Sequence, residues 1–256
     1  MARAWFKGWF VDFDPVHANA APGDGHPTLP PNLAARFPAT FESSELGDIP
    51  AGWGVKPASE VLDVNPRRTL KKGTVAPYLD MKNMPTDGFL AGEVIDREFK
   101  SGNKFINGDT LLARITPCLE NGKTAFVDFL DDEQVGWGST EYIVLRPRPP
   151  LPVEYGYYLA RSTTIRDYAI QSMTGTSGRQ RVPPACFDNL AVVEPSVEAA
   201  DAFAEMVRPL MRKMRGNENQ SRTLAAVRDA LLSKLLNGEV AVRGEKIRDY
   251  ASGRCV

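Results

Sequence analysis

Asn107-Gly108-Asp109-Thr110-Leu111-Leu112-Ala113-Arg114-Ile115-Thr116-Pro117-Cys118-Leu119-Glu120-Asn121-Gly122-Lys123 is the stretch on which the fold turns. Gly108-Asp109 is a turn pair that opens directly onto a short apolar run. Pro117 and the Asn121-Gly122 pair then break the chain. A second run follows at Thr124-Ala125-Phe126-Val127, and a third at Glu141-Tyr142-Ile143-Val144-Leu145. Runs this short, bounded by Gly, Pro, Asn and Asp, predict strands rather than buried helices.

Outward from these strands the texture changes twice. Residues 153–172 predict a helix with Tyr157, Tyr158, Leu159, Ile165 and Ile170 as its apolar members, which makes residues 50–193 an α+β domain. Beyond Pro195 a second helix is expected over 196–237, from Ser196 as N-cap to Asn237-Gly238 as stop, leaving 238–256 as a tail. Leu210, Met214, Leu224, Leu231 and Leu235 fall on a heptad-like seam, interrupted by polar Asn217 and Ser221, so this helix predicts a partner. Pro209 predicts a kink, or a break into two abutting helices.

Residues 1–50 read as a truncated helix end and a linker. The aromatic piece Trp5-Phe6-Lys7-Gly8-Trp9-Phe10-Val11 has no partner helix upstream, so its rings are expected to need cover from elsewhere. Pro, Gly, Asn and His then dominate as far as Pro31.

Composition narrows the function classes. With 43% hydrophobic and 25% charged residues in 256, the chain can bury a core, and no apolar run approaches the roughly 18 residues that span a bilayer. The opening residues carry no secretory pattern, so the cytoplasm is the expected compartment. Cys118, Cys186 and Cys255 share no metal-ligand spacing and read as plain thiols. His17 and His26 both fall in the irregular N-terminal stretch, which leaves a zinc site or a catalytic triad almost nothing to draw on. The formal net charge is -1, and residues 55–190 carry 17 basic and 17 acidic side chains. Any polyanion must therefore be held by a focused patch or with a basic partner.

The central motif and three others resemble the specificity subunits of type I restriction-modification systems. The Gly108-Asp109 turn into a strand, the Arg114-to-Lys123 stretch and the strand from Ser139-Thr140-Glu141-Tyr142 have the order and spacing of that family's target-recognition domain. Residues 173–183, with Gly175-Thr176-Ser177-Gly178-Arg179-Gln180, resemble its Gly-rich turn followed by Gln. Residues 223–240 are similar to its conserved-region helix, with Val227 in place of the first leucine. Residues 9–15 and Ile49-Pro50-Ala51-Gly52-Trp53 resemble the passage leading to a second recognition domain in one branch of these proteins.

The resemblance implies one DNA target-recognition domain plus a long coiled-coil-type helix, half the machinery of a full subunit. It implies double-stranded DNA, methyltransferase (modification) subunits and the restriction subunit as partners, with a homodimer as a further option. Catalysis and cofactors would then belong to the partners, and this chain would hold no cofactor or metal of its own. The residue chemistry agrees. Arg114, Asn121, Arg179 and Gln180 are types that form paired hydrogen bonds with base edges. Lys104, Lys123, Ser139, Thr176 and Ser177 suit phosphates, with Gly175 and Gly178 letting backbone N–H groups come close. The plainer alternative pairs Arg114 and Lys123 with local carboxylates such as Glu120 and leaves the glycines to make turns.

Enzyme motifs fit less well. Gly122-Lys123-Thr124 has the end of a phosphate-binding loop, but Pro117 stands where its first glycine belongs. Asn65-Pro66-Arg67-Arg68 shares only two residues with the Asn-Pro-Pro-aromatic motif of adenine methyltransferases. Asp87, Glu98 and Lys100 follow the acidic, acidic, basic order of a Mg²⁺-dependent restriction nuclease, although Asp87 precedes a glycine and also reads as a turn residue. An assembly remnant without DNA affinity is the third reading.

Overall fold

The computed structural model describes residues 1–239 apart from 24, 26–28 and 177. Ser177, His26, Cys255 and most of the expected tail thus lie outside the described residues. The chain divides into two compact units, residues 1–209 and 210–256.

The first unit opens with three helices, α1 (Ala2–Phe10), α2 (Asp14–Ala20) and α3 (Pro31–Ala34), and a hairpin of β1 (Phe41–Ser44) and β2 (Gly47–Pro50). Next come β3 (Gly54–Pro57), the single-turn α4 (Ala58–Val61) and β4 (Leu62–Val64). The centre is built from β5 (Val75–Leu79), β6 (Val94–Glu98), β7 (Asn103–Phe105), β8 (Thr110–Ala113), β9 (Thr124–Phe126), β10 (Gly136–Gly138) and β11 (Tyr142–Pro147). α5 (Val153–Ala160), α6 (Thr163–Gln171) and β12 (Ala191–Glu194) close the unit and lead into α7 (Val197–Leu236). Two four-stranded sheets run in the orders β6-β5-β10-β7 and β4-β11-β8-β9, while β12 pairs with β3.

β8 is buried along its whole length because it lies between β11 and β9, with Leu111 opposite both Val144 and Ala125. Strand alternation sends Leu111, Tyr142, Val144 and Ala125 to one face. There they meet Leu79, Met84, Phe105 and Leu130 in a single core cluster, where each large apolar side chain contributes about 1.5–3 kcal/mol. The Tyr142 hydroxyl donates 3.0 Å to the Leu79 carbonyl, tying β11 of one sheet to β5 of the other. α5 packs against β11, β8 and β9.

Asp109, at the head of β8, has no exposed surface. Its Oδ2 accepts from the Ile106 N–H at 2.9 Å, and its Oδ1 faces Arg146 Nη1 at 2.7 Å and Arg68 Nη2 at 3.2 Å. A buried carboxylate needs such company, since an unpaired one would cost several kcal/mol.

Four expectations are corrected by these elements. The helix over 153–172 is two helices, because Arg161 turns its guanidinium to the carbonyls of Thr86, Gly88 and Gly122 while Ser162 Oγ caps α6 at the Ile165 N–H. Residues 1–50 are not a linker, since they form three helices and a hairpin within the first unit. Their aromatic rings are covered there too. Phe6, Trp9 and Phe10 are buried and lie with centroids 5.6, 6.0 and 5.4 Å from Phe203 of α7. Pro209 sits inside one continuous α7 and does not end it. A proline lacks one N–H, and a long helix with a buried face absorbs that loss.

The ends of α7 follow the sequence. Ser196 Oγ accepts from the Ala199 N–H at 3.2 Å. At the other end, Gly238 adopts φ 70° and the Gly238 and Glu239 N–H groups return to Leu235 and Lys234, a glycine-terminated helix stop. Ala199, Ala200, Ala202, Phe203, Ala204 and Val207 are buried in the first unit. In the second unit Leu210, Met214, Leu224, Leu231 and Leu235 are between 38% and 62% exposed. No helix among the described residues is long and apolar enough to cross a membrane.

Candidate nucleic-acid interface

Two loops meet at the end of β8. The first, residues 114–123, leaves the sheet at Arg114, whose N–H donates to the Glu141 carbonyl, and winds through one helical turn in which Asn121 N–H donates to Pro117 and Lys123 N–H to Cys118. The second, residues 173–183, is a narrow hairpin closed by a reciprocal pair between Thr174 and Arg181 and a turn from Arg179 N–H to Thr176 O. Gly175 has φ 119° here, a conformation that favours glycine. The loops are stitched together. Val182 N–H donates to Arg114 O, Thr116 N–H to Gln180 O, and Gln180 N–H to Thr116 Oγ1. Arg181 anchors the assembly on the sheet through Glu141, with Nε 2.9 and 3.0 Å from the two carboxylate oxygens.

This stitching brings Arg114, Thr176, Arg179 and Gln180 onto one rim. Arg179 and Thr176 are exposed, Arg114 and Gln180 half-buried, and Arg114 Nε has no hydrogen-bond partner among the described residues. Asn121 is exposed on the first loop. Ser139 is committed locally, because its Oγ accepts from the Glu141 N–H. Lys123 donates 2.7 Å to the Met81 carbonyl, so it partly secures the first loop instead of pairing with Glu120.

Lys104 lies elsewhere, on β7, with its ammonium 5.0 Å from the Phe99 ring centroid. It lines a cleft with Asn65, Pro66, Arg67, Arg68, Thr69, Gly102, Asn103 and Val144. The residues after β4 thus form a basic loop, Arg67-Arg68-Thr69-Leu70-Lys71-Lys72, of which Arg67, Lys71 and Lys72 are exposed. Sequence reasoning missed this loop, although four basic residues in six were the available signal. It also missed Arg181, which directly follows the singled-out Arg179 and Gln180.

The cations of the fold sort by partner into two groups. Arg146, Arg148, Arg161, Arg181 and Arg208 are spent on carboxylates or carbonyls within the fold. Arg67, Lys71, Lys72, Lys104, Arg114 and Arg179 take part in no ion pair among the described residues. These six lie on the two loops, the basic loop and β7, while Lys82, Arg97, Lys100 and, on α7, Arg212, Lys213 and Lys234 likewise take part in no ion pair among the described residues.

The nuclease reading loses its residues. Asp87 is ion-paired with Arg3, and the Gly88 N–H together with Arg3 holds its carboxyl below the usual range. Among the described residues no group of three or more His, Cys, Asp or Glu could hold a metal.

No family model matches the chain. Among curated proteins it is 28% identical over 207 residues to the EcoAI type I restriction enzyme specificity subunit of Escherichia coli, covering 78% of this chain and 35% of that protein. The EcoEI specificity subunit of Escherichia coli is 28% identical over 203 residues, covering 76% and 34%. The HindI specificity subunit of Haemophilus influenzae is 23% identical over 298 aligned positions, covering 94% and 61%. The chain thus spans about a third of the first two relatives. Among solved structures, the HsdS subunit of Thermoanaerobacter tengcongensis superposes with a TM-score of 0.51 at 22% identity over 81% of this chain and 54% of that one. A chain from a type I restriction-modification assembly gives 0.51 at 19%, covering 78% and 53%. Over about three quarters of its length the chain is thus similar in sequence to specificity subunits of type I restriction enzymes, and its mixed helix-and-strand fold is similar to that of the HsdS subunit.

Proposed function

We propose that the chain reads one half of a split DNA site as the specificity component of a type I restriction-modification complex and performs no covalent chemistry itself. The observation that carries this reading is the bonding of the two loops, which sets Arg114 and Thr116 against Val182 and Gln180 and leaves Arg179 exposed on the adjoining turn. Arg and Gln are the side chains that discriminate guanine and adenine edges in the major groove. The unpaired cations around them supply the sequence-independent hold on the backbone. Ser177, Asn121 and Thr176 border the same rim in sequence, while Ser139 and Lys123 serve mainly to hold the loops in place.

Methyltransferase subunits, and the restriction subunit with them, supply the chemistry in this reading. The exposed stripe of Leu210, Met214, Leu224, Leu231 and Leu235 is the docking seam, pairing in coiled-coil fashion with a partner helix. A second copy of this chain pairing there would double the recognition domain, and the twofold symmetry would demand a palindromic split site.

Methylome sequencing of cells expressing this chain with a type I methyltransferase subunit tests the reading. One bipartite methylated motif should appear with the chain and vanish without it, and Arg179→Ala or Gln180→Ala should change or relax that motif. Methylation that is absent, or indifferent to sequence, would reject it.

A further inference from the structure

We propose that the cleft between residues 65–69 and 102–104 is a seat for DNA backbone phosphates, separate from the rim that reads bases. It rests on the reading of the chain as a DNA-binding protein and adds a site to it.

The cleft encloses about 390 Å³, and none of the residues lining it is acidic. Three of them are cations, Arg67, Arg68 and Lys104. Each is set by a different device. Arg68 is fixed by Asp109, a buried carboxylate already engaged by Arg146 and the Ile106 N–H, so one negative charge is shared between two guanidinium groups. Positive charge is left over at the cleft wall. Lys104 is held over the face of Phe99 with no carboxylate partner, an arrangement that orients an ammonium without neutralising it. Arg67 is exposed and takes part in no ion pair among the described residues.

The backbone brings the two walls together. Asn65, in the left-handed region at φ 52°, exchanges bonds with Val144 through its N–H and its Oδ1, which fixes where the basic loop departs. Opposite it, Gly102 adopts φ 145°, and a Cβ built there would lie 1.9 Å from the Gly138 carbonyl oxygen. Only glycine lets β7 approach β10 this closely, and Asn103 and Lys104 follow directly. Lys71 and Lys72, outside the cleft on the same loop, are exposed as well. A pocket with three cations in its wall and two further exposed lysines on the same loop suits a polymer of phosphates better than a single small anion, which needs only the pocket.

The test is a salt titration of duplex binding by the full chain with its methyltransferase subunit. It uses a duplex carrying the methylated motif and a scrambled duplex, for wild type, Arg67→Gln, Lys104→Gln and, as a control outside the cleft, Lys56→Gln. Each cleft variant should weaken both duplexes by the same factor and lower the slope of log K against log salt by roughly 0.9 for each phosphate no longer neutralised. Motif preference should persist, Lys104→Arg should recover most of the binding, and the control should behave as wild type. Wild-type slopes in both cleft variants, with motif preference intact, would overturn the phosphate seat alone. Reduced slopes without any motif preference in the wild type would instead reject base reading and leave the seat standing. Inorganic phosphate that bound wild type but not Arg67→Gln, and left duplex affinity unchanged at matched ionic strength, would assign the pocket to a free anion and overturn the proposal.

Discussion

Arg181 and Glu141, forty residues apart in the chain, meet in a two-pronged ion pair with Arg181 Nε 2.9 Å from one carboxylate oxygen and 3.0 Å from the other. Glu141 stands just before β11 and Arg181 in the second loop, so the pair fixes that loop's register on the sheet. The same bond raises the Arg181 pKa above its ordinary value. Glu141→Gln should leave the fold intact and speed amide hydrogen exchange over residues 174–182. Preference for the methylated motif should fall severalfold, with affinity for scrambled DNA nearly unchanged. Unaltered exchange in those amides would show that the backbone bonds suffice.

Asp109 gathers two arginines without any exposure of its own. Asp109→Ala leaves both guanidinium groups and the Ile106 N–H without their acceptor, which should cost about 3–5 kcal/mol. At roughly 2–4 °C per kcal/mol for a chain this size, calorimetry should record a drop in Tm of about ten degrees. Arg146→Met should cost far less in the Asp109→Ala background than in the wild type, because the partner is already gone.

The seam of α7 makes a separate prediction, since its residues are exposed and carry no weight in the first unit. Leu224→Asp with Leu231→Asp should change the stability of that unit by less than about 0.5 kcal/mol. Light scattering should nonetheless show the loss of any dimer or methyltransferase complex that the wild type forms. Wild-type assembly by the double variant would remove the seam from the docking surface.

Four buried tyrosines set an alkaline limit. Burial raises the pKa of Tyr142, Tyr155 and Tyr157 well above the ordinary 10.0, and that of Tyr158 to about 12. Above pH 10 the unfolded chain releases these protons and the folded chain keeps them, so unfolding gains with each step in pH. Stability should be flat through neutrality and fall steeply beyond about pH 10, with Tyr142→Phe blunting the fall. Thermal melts followed by circular dichroism between pH 7 and 11 would check it.

The parts of the fold visible in the sequence were those decided locally. The apolar runs within 109–114, 124–127 and 141–145 became β8, β9 and most of β11 because a short apolar run and its flanking turns act over a few residues. Ser196 and Gly238 marked α7 for the same reason. β6, β7 and β10 had no such signature, being Val-Ile-Asp-Arg-Glu, Asn-Lys-Phe and Gly-Trp-Gly, and β5 carries Pro77 within it. The break after Arg161 lies at Ser162, an extended residue whose Oγ caps α6 and a local signal that sequence reasoning passed over, whereas the first fifty residues fold because Phe203 and Tyr155 cover their rings. At the candidate site, residue types were legible but neighbours were not. Nothing near Arg114 in sequence announces that Val182 and Gln180 lie beside it, and the basic loop showed itself only once its cations could be sorted by partner.

The way the two loops are fastened bears on how such a protein changes its target. Backbone groups of Arg114, Thr116, Thr174, Gln180, Arg181 and Val182 do the fastening, with help from Thr116 Oγ1 and the Arg181 side chain. The exposed side chains of Asn121, Thr176 and Arg179 take no part in it. They can be exchanged with little loss of folding, as surface positions generally can. If the proposed reading holds, substitutions at these three positions would change the word recognised and spare the scaffold that presents it.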